Sequence, residues 1–376
     1  YSVALINLAP TISSVSDSDG SITPFNITPG IPNAITINII DSDGDPLTYN
    51  AITDSDFNGL ATISNTGNVF TIIPLSEDSA TTQSGTITFT ADDGINIASS
   101  SVQIFNLYFW AYDLEGATVT YSQESSAADI GSRNWGYYFR SDGLKLYNKN
   151  DNGPEIVYQF SLSTPWDIST ITYDNKSMDV RDGGDESKCI FFKPDGTVLF
   201  SGGPSGIASY NLPTPWDIST GSRPANSFVA HGAAAALWSI FFKPDGTKLY
   251  ASCITDDLYQ WTLSTPWDIT TIGSPIILPI TGSNVGQGLF FSPDGKKFWV
   301  TVPGNTGFTN INQYTMSTAW DISTASDDNI FVDIYALTAD AGVGATAQLR
   351  SIFFGGNKFF CADTANDLHE FNISYV

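Results

Sequence analysis

Five side chains that could bind a sugar occupy one position of a repeated segment in this 376-residue chain. Each stands three residues before an aromatic pair that begins with Phe or Tyr. Indole rings stack on the apolar faces of sugars, and Lys, Gln and Arg donate hydrogen bonds to hydroxyl or carboxylate groups. The spacing predicts a ligand site at the mouth of a central channel, with packing between repeats as the alternative. The five residues are Trp135, Lys188, Trp238, Gln287 and Arg350.

A cluster of carboxylates could bind calcium near the start of the chain. Asp41, Asp43 and Asp45 alternate along one short segment, and carboxylate oxygens are hard ligands that suit calcium. The alternative is an acidic β-turn. The segment from Asp54 imitates the start of an EF-hand loop, but Asn65 stands where that loop needs a bidentate Glu. Calcium is the one cofactor that the sequence suggests.

Signals for catalysis are few. The chain has two histidines, His231 and His369, and neither lies beside a nucleophile motif. Glycosidases need two or three carboxylates facing a cleft. Asp182, Asp185 and Glu186 cluster in one segment, for which a solvated acidic loop is the alternative. The sequence therefore predicts that the chain is not an enzyme, with glycan hydrolysis as a lesser alternative.

Two repeated turns must position the five candidate binding residues. The first follows each aromatic pair and reads Lys-Pro-Asp-Gly at Lys193 and Lys243; Pro presets φ, and Gly accepts a positive φ. The second reads Ser-Thr-Pro-Trp-Asp-Ile at Ser163 and Ser264. Its Trp residues are expected to be structural plugs, and each following Asp is expected to cap backbone N–H groups. These are Trp166, Trp216, Trp267 and Trp320.

The repeats predict a five-bladed β-propeller. The aromatic pairs begin at residues 138, 191, 241, 290 and 353, and a period near 50 residues is typical of propellers. Four strands are expected in each unit, for example at 238–242, 248–251, 258–263 and 272–278. Since the fifth unit ends before its last turn and strand, Tyr112-Asp113-Leu114 and the strand at 117–121 are expected to complete it and to close the ring.

The rest of the composition indicates an acidic, β-rich chain. There are 39 acidic and 15 basic residues, for a net charge of −24, which argues against nucleic acid or an anionic membrane as a partner. Since 33 of the acidic residues are Asp, which favours turns, helix content should be very low. Cys189, Cys253 and Cys361 are expected to be buried free thiols. No leader and no apolar run long enough for membrane insertion is visible.

An immunoglobulin-like sandwich is predicted before the propeller. After a lead or linker at residues 1–8, seven alternating segments follow within residues 9–106, which contain no Lys or Arg. The segment Asp41 to Tyr49, with Asn58-Gly59 and Asp92-Asp93-Gly94, resembles the cadherin-like modules of bacterial and phage surface proteins. Residues 107–376 form the propeller domain in this interpretation.

The repeats at 107–376 resemble the propeller repeats of virion structural proteins from tailed phages, especially marine ones. The similarity is carried by Phe-Phe-Lys-Pro-Asp-Gly-Thr at Phe191 and Phe241, by strands such as Tyr259 to Leu263, and by the Pro-Trp-Asp turns. The departures are Gly355-Gly356-Asn357, which lacks the Pro and Asp, and a long insertion before Arg350. The resemblance implies a phage particle component, often a tail fibre or structural protein.

These observations lead to two main expectations for function. The first is a tail- or fibre-associated adhesin on the virion surface, which holds a host surface glycan or receptor on the variable propeller face and is linked to other virion proteins through the sandwich. The second is a virion decoration or connector that binds no cell. Loops such as 148–155, 201–206 and 252–257 vary between repeats, so their face is the expected binding face.

Overall fold

The described parts of the chain are almost entirely β-structure. A computed structural model describes residues 8–17, 25–27, 33–54, 61–74, 81–109, 112–125, 134–150, 155–181, 187–225, 227–229, 236–253, 257–280, 287–304, 307–342, 348–356 and 358–375. Within them there is one α-helix, α1 (Ile334–Asp340), which lies in the insertion before Arg350. The chain divides into two compact units, Tyr1–Ala111 and Tyr112–Val376.

The first unit consists of two sheets with a common hydrophobic core. One sheet has the order β1-β3-β6-β5, and the other has the order β2-β9-β7-β4 with β8 paired to β7. Buried side chains of both sheets, including Ile35, Phe70 and Phe89, pack together. The strands are β1 (Thr11–Asp17), β2 (Phe25–Ile27), β3 (Asn33–Ile40), β4 (Thr48–Thr53), β5 (Ala61–Thr66), β6 (Val69–Pro74), β7 (Thr81–Asp92), β8 (Ile97–Ser99) and β9 (Gln103–Phe109).

The strands of the first unit differ from the sequence prediction in two places. Strand β2 was not expected, because three residues after a proline are too few to show an alternating pattern. The last of the seven predicted segments, at residues 98–105, is divided between two strands, β8 and β9. Between these two strands the Ser100 hydroxyl accepts a hydrogen bond from the Phe89 amide at 3.0 Å, so that a side chain takes the place of a backbone acceptor from a neighbouring strand.

The second unit contains five four-stranded antiparallel sheets in its described residues. Sheet 1 is β11-β12-β13-β14, sheet 2 is β15 to β18, sheet 3 is β19 to β22, sheet 4 is β23 to β26, and sheet 5 is β27-β28-β29-β10. The strands are β10 (Ala117–Ser125), β11 (Asn134–Phe139), β12 (Lys145–Asn150), β13 (Ile156–Leu162), β14 (Ile171–Asp179), β15 (Cys189–Phe192), β16 (Val198–Gly202), β17 (Ile207–Asn211), β18 (Phe228–Val229), β19 (Leu237–Phe242), β20 (Lys248–Cys253), β21 (Asp257–Thr262), β22 (Ile276–Pro279), β23 (Leu289–Phe291), β24 (Lys297–Gly304), β25 (Gly307–Met316), β26 (Ala325–Asp333), β27 (Leu349–Gly355), β28 (Lys358–Asp363) and β29 (Leu368–Tyr375).

Sheet 5 takes its fourth strand from the opposite end of the unit. Strand β10 pairs antiparallel with β29 from Ala117 opposite Tyr375 to Ser125 opposite Leu368. Just before β10, the Tyr112 ring packs edge-on against Phe354 of sheet 5, with ring centroids 5.3 Å apart. The segment predicted to stand in for the missing Trp-Asp-Ile turn and last strand therefore occupies that place.

The glycine of each Asp-Gly turn in sheets 1 to 4 packs against a Trp from the second repeated turn. In sheet 2 the Trp216 amide donates to the Gly196 carbonyl at 3.0 Å. Gly196 has a φ of +71°, which residues with a side chain rarely adopt. A Cβ built on it would lie 2.4 Å from Trp216 Nε1, so a side chain would also clash with the Trp216 ring. The same contact joins Gly143 to Trp166, Gly246 to Trp267, and Gly295 to Trp320.

These Trp residues also pack between neighbouring sheets. The Trp216 ring stacks on Phe192 of its own sheet at 5.4 Å and on Tyr138 of sheet 1 at 6.4 Å. Its φ is +64°, in the left-handed region that bulky residues rarely enter. The Tyr147 hydroxyl of sheet 1 donates a hydrogen bond to the Trp216 carbonyl at 2.7 Å. Asp217 accepts a hydrogen bond from the Ser219 amide. The predicted structural plug and Asp cap are both confirmed.

The first residues of the five aromatic pairs form a closed cycle. Successive ring centroids are 5.4, 5.3, 5.5, 5.1 and 5.7 Å apart, and the interplanar angles lie between 64° and 76°. Edge-to-face contacts of this kind are favourable, because the positive edge of one ring meets the negative face of the next. The five residues, called the central ring below, are Tyr138, Phe191, Phe241, Phe290 and Phe353.

Replacing Gly196 should destabilise the protein more than replacing a glycine with the same backbone conformation but free space. Gly342 has a φ of +74°, and nothing lies within 4 Å of a Cβ built on it. We expect Gly342→Ala to lower the free energy of unfolding by about 1–2 kcal/mol through backbone strain. Gly196→Ala should cost about 1–3 kcal/mol more, because the methyl group meets the Trp216 ring. Equal losses in urea denaturation would show that this contact is not stabilising.

The three cysteines should not react with a thiol reagent in the native protein. Cys189, Cys253 and Cys361 are buried and free, as the sequence predicted. Burial raises the pKa of the Cys189 and Cys253 thiols to about 12, and that of Cys361 well above its ordinary value. Since the thiolate is the reactive form, Ellman's reagent at pH 8 should label none of them until denaturant is added. Labelling without denaturant would contradict this burial.

Candidate functional site

Three of the five predicted binding residues lie at β-bulges. The ladder of β11 with β12 shifts register between Asn134 and Gly136, which leaves Trp135 outside the pairing. The same shift leaves out Trp238 in sheet 3 and Arg350 in sheet 5. An unpaired bulge residue bends the strand and redirects its side chain. In sheets 1, 3 and 5 the repeated position is therefore held by the same backbone irregularity, at the end of the inner strand opposite the turn that follows the aromatic pair.

The structure brings two indoles and two cations together at this end. Trp135 of sheet 1 and Trp238 of sheet 3 are stacked, with ring centroids 5.1 Å apart and an interplanar angle of 27°. Lys188 Nζ lies 3.9 Å from the centroid of the Trp135 ring, and Arg350 Cζ lies 4.1 Å from it. Four sheets thus contribute to one cluster, called the mouth cluster below.

Gln287 begins the inner segment of sheet 4, at the equivalent position. The ring and cation contacts that join the other four residues do not include it. Its Oε1 atom is buried and has no hydrogen-bond partner among the described residues. Trp135, Trp238, Gln287 and Arg350 are partly exposed, whereas Lys188 is 6% exposed. Three members of the mouth cluster are therefore partly exposed, and the fourth, Lys188, is buried.

The electrostatic character of the mouth cluster differs from that of the chain as a whole. A cation over an indole is stabilised by about 0.5–1 kcal/mol at exposed sites and by about 2 kcal/mol or more where water is excluded. Lys188 and Arg350 both use the Trp135 ring in this way. Two positive charges are thus concentrated at one point of a chain with a net charge of −24.

A buried ion pair next to the mouth cluster was not predicted. Lys149, on the strand paired with that of Trp135, is fully buried and forms an ion pair with Glu155. Its ammonium group also donates to the Asn150 carbonyl at 2.8 Å. The pair joins the end of β12 to the start of β13. The sequence placed both residues in a variable loop, and no local pattern distinguishes a buried Lys from an exposed one.

His369 lies between two carboxylates in sheet 5. Its Nε2 atom is 3.3 Å from Asp363 Oδ2, and its Nδ1 atom is 3.7 Å from Glu124 Oε2. The residue opposite it is Cys361, and burial raises the pKa of that thiol well above its ordinary value, so it is not a nucleophile near neutral pH. The other histidine, His231, and the carboxylates Asp182, Asp185 and Glu186 lie outside the described residues, as do parts of the predicted variable loops.

The first acidic cluster forms a turn. Asp41 Oδ1 accepts hydrogen bonds from the Asp43 and Gly44 amides, and Asp43 Oδ2 accepts one from the Leu8 amide at 2.7 Å. A hydrogen bond between the two side chains raises the pKa of Asp41, and the Leu8 amide lowers the pKa of Asp43. No group of three or more His, Cys, Asp or Glu that could hold a metal ion occurs among the described residues. Asp41 and Asp43 thus form hydrogen bonds within an acidic turn, and calcium binding by Asp41, Asp43 and Asp45 stays a prediction.

No helix in the described parts of the chain is long and apolar enough to cross a membrane.

Comparisons with known proteins give only distant likenesses. No protein-family model and no curated protein matches the chain. Among solved structures, Raptor from Chaetomium thermophilum is similar at a TM-score of 0.35 and 11% identity, covering 98% of this chain, which spans 29% of the length of Raptor. A candidate 6-phosphogluconolactonase from Bacteroides fragilis matches at a TM-score of 0.39 and 10% identity, and the match covers 88% of this chain and 83% of that protein. Another candidate 6-phosphogluconolactonase, from Bacteroides uniformis, matches at a TM-score of 0.40 and 12% identity. That match covers 83% of this chain and 88% of the other.

One prediction from the sequence needs correction. The expectation that the chain is not an enzyme is contradicted by the last two structures, because both are named as candidate lactonases. The expectation rested on the absence of a recognisable motif, and a site assembled from separate sheets leaves no such motif in the sequence. At these identities and TM-scores, the likenesses assign no activity to this chain.

The stacking of Trp135 on Trp238 should be measurable as a coupling free energy. Stacked aromatic pairs contribute about 0.5–1.5 kcal/mol beyond the area that they bury. We therefore expect a double-mutant cycle of Trp135→Ala and Trp238→Ala to show a coupling of that size in the free energy of unfolding. The matched control is Trp135→Ala with Trp320→Ala, because Trp320 packs on Phe241 and Phe291 instead. Additive losses in the first cycle would contradict the stacked geometry.

Proposed function

We propose that the second unit is a five-bladed β-propeller and that the first is an immunoglobulin-like, cadherin-like sandwich. The central ring supports the propeller, because its closed cycle of contacts puts sheets 1 to 5 in circular order. The completion of sheet 5 by β10 supports the closure. The two sheets of the first unit, which bury one core between them, support the sandwich.

The same proposal extends to function: this protein is an adhesive component of a phage particle that binds a glycan of the host surface at the mouth of the propeller. The mouth cluster carries the proposal. It combines aromatic surface with hydrogen-bond donors in one place, as carbohydrate sites require. The phage assignment comes from the resemblance of the repeats, and the sandwich is the part that links the propeller to the particle.

Trp238 is the aromatic platform in this site. One face of its indole is stacked on Trp135, and the residue is partly exposed. Trp135 is held by Lys188 and Arg350 as well as by Trp238. A sugar therefore stacks on Trp238, while Trp135 and the two cations fix the position of that platform. Arg350, which is partly exposed, donates to hydroxyl or carboxylate groups at the edge of the sugar.

A second function is supported by the outer strands. Phe331 on β26, Ile277 on β22 and Tyr173 on β14 expose 58, 50 and 38% of their surface. The unpaired edge of an outer strand can pair with another chain, and apolar side chains on such a strand favour that contact. The alternative is therefore a decoration or connector of the virion, in which the outer strands pack against other virion proteins and the mouth cluster only closes the channel.

Binding of purified protein to envelope polysaccharide from a susceptible host tests the proposal. We expect saturable binding that weakens roughly two- to tenfold in Trp238→Ala, because a stacking contact is worth about 0.5–1.5 kcal/mol. Phe331→Ala is the matched control, since it removes an exposed aromatic ring from the same unit and should leave the affinity unchanged. Near-ultraviolet circular dichroism verifies that both variants are folded.

Each outcome separates the two functions. Loss of affinity in Trp238→Ala alone supports adhesion at the mouth cluster. Loss in Phe331→Ala alone places binding on the outer strands. If the wild-type protein does not bind polysaccharide from any susceptible host, adhesion is wrong and the structural role remains.

A further inference from the structure

Neighbouring sheets of the second unit meet through the same aromatic contact at every junction. An aromatic side chain on the second strand of one sheet packs on the second residue of the aromatic pair in the next, with ring centroids 4.2–4.6 Å apart. These contacts therefore hold all five junctions in a similar way. The five contacts are Tyr147 with Phe192, Phe200 with Phe242, Tyr250 with Phe291, Trp299 with Phe354, and Phe360 with Phe139.

Polar links to the second repeated turn of the next sheet add to this contact at four junctions. At the junction of sheets 3 and 4, the Gln260 side chain accepts a hydrogen bond from the Ile322 amide at 3.0 Å. The Tyr250 hydroxyl and the Lys248 ammonium group each donate to the Trp320 carbonyl at 2.7 Å. Four junctions are therefore joined by hydrogen bonds as well as by aromatic contact. The acceptors for the turn amide at the other three are Gln159, Gln313 and Glu370.

The junction of sheets 2 and 3 lacks these links. In sheet 2 the positions of the Gln, Lys and Tyr are occupied by Ser209, Val198 and Phe200. Ser209 is paired with Phe200 as Gln is paired with Tyr in sheet 3, so the positions are equivalent. In the described part of the chain, no side chain bonds to the Trp267 carbonyl or to the Ile269 amide of sheet 3. At these positions the turn of sheet 3 is attached to sheet 2 by apolar contacts alone.

Two indoles of sheet 3 reflect this difference. Trp267 is partly exposed, whereas the other three Trp residues of the second repeated turn are buried. Trp261 is fully buried in the hydrophobic cluster that sheets 2 and 3 share, and its Nε1 atom has no hydrogen-bond partner among the described residues. A buried N–H group without an acceptor is unfavourable, and water that enters an opened junction would satisfy it. Separation is therefore less costly here than at a junction whose polar groups are paired.

The first strands of sheets 2 and 3 remain joined where the turn is not. Phe191 and Phe241 of the central ring are in edge-to-face contact, with centroids 5.3 Å apart. At the mouth cluster, the stack of Trp135 on Trp238 connects sheet 3 to sheet 1. Opening of this junction therefore begins at the second repeated turn and leaves the first strands in place.

We propose that residues 264–272, called the flap below, separate from sheet 2 in the native protein. The movement parts the rings of Phe200 and Phe242 and hydrates the N–H group of Trp261, while the corresponding turns of the other sheets stay attached to their neighbours. Local opening of this kind occurs where a segment has fewer stabilising contacts than the rest of the fold. The flap is a conformational device separate from the proposed glycan binding, and no glycan is needed to detect it.

Hydrogen exchange followed by mass spectrometry compares the flap with its counterpart in sheet 4, residues 317–325. Both turns have the same internal hydrogen bonds, for example from the Trp267 amide to the Gly246 carbonyl and from the Trp320 amide to the Gly295 carbonyl. After correction for intrinsic rates, we expect the flap to exchange about tenfold or more faster, because each missing link changes the opening equilibrium about two- to tenfold. Equal protection of the two turns would overturn the proposal.

Transplanting the links between junctions provides the matched variants. Ser209→Gln combined with Phe200→Tyr supplies the acceptor and the hydroxyl that sheet 3 uses, and it should slow exchange of the flap about tenfold or more. Gln260→Ser combined with Tyr250→Phe removes the same groups from the junction of sheets 3 and 4. This second protein should speed exchange of the turn in sheet 4 by a similar factor and leave the flap unchanged.

The transplanted links decide between a flap and a turn that is merely exposed. Slower exchange of the flap in the Ser209→Gln, Phe200→Tyr protein, with no change in the turn of sheet 4, supports the proposal. If that protein does not fold, Phe200→Tyr alone adds one hydroxyl and should slow the flap about two- to tenfold. If the added links leave exchange of the flap as fast as in the wild-type protein, their absence does not control the opening and the proposal is wrong.

Discussion

The edge-to-face contacts of the central ring are the constraint on which the second unit depends. Each aromatic ring of Tyr138, Phe191, Phe241, Phe290 and Phe353 touches one ring before it and one after it, so no sheet can shift relative to its neighbours without breaking two contacts. The inner strands are thereby fixed at one height. That common height allows the bulged residues Trp135 and Trp238 to meet across a third sheet.

The Trp of the second repeated turn provides a second constraint between neighbouring sheets. It adopts a left-handed backbone, bonds to the glycine of the first turn and stacks on the neighbouring sheet. At the junction of sheets 4 and 5, Tyr112 takes this role, and its ring contacts Phe290 and Phe354. One end of each sheet is therefore made rigid by repetition, which leaves the opposite end free to differ in Trp135, Lys188, Trp238, Gln287 and Arg350.

Much of this arrangement was predictable, because the repeats fix equivalent positions without any knowledge of distances. The Pro-Asp-Gly turns, the Trp plugs and the completion of sheet 5 by β10 all follow from aligned motifs. The pairing of Lys149 with Glu155, the bulges and strand β2 do not. They depend on burial and backbone irregularity, which a single sequence does not record. The contacts of the Trp135 ring were not predictable either, since alignment of the repeats gives five equivalent residues but not which of them contact one another.

The pairing of β10 with β29 has a consequence for how the chain folds. Strand β10 is the first strand of the second unit to leave the ribosome, and its partner is the last. Until β29 has been synthesised, β10 carries an unpaired edge. Contacts between such distant segments slow folding, and exposed edges invite pairing with other chains. A nascent chain that stops before β29 thus loses more than its missing residues, because β10 is left without a partner as well.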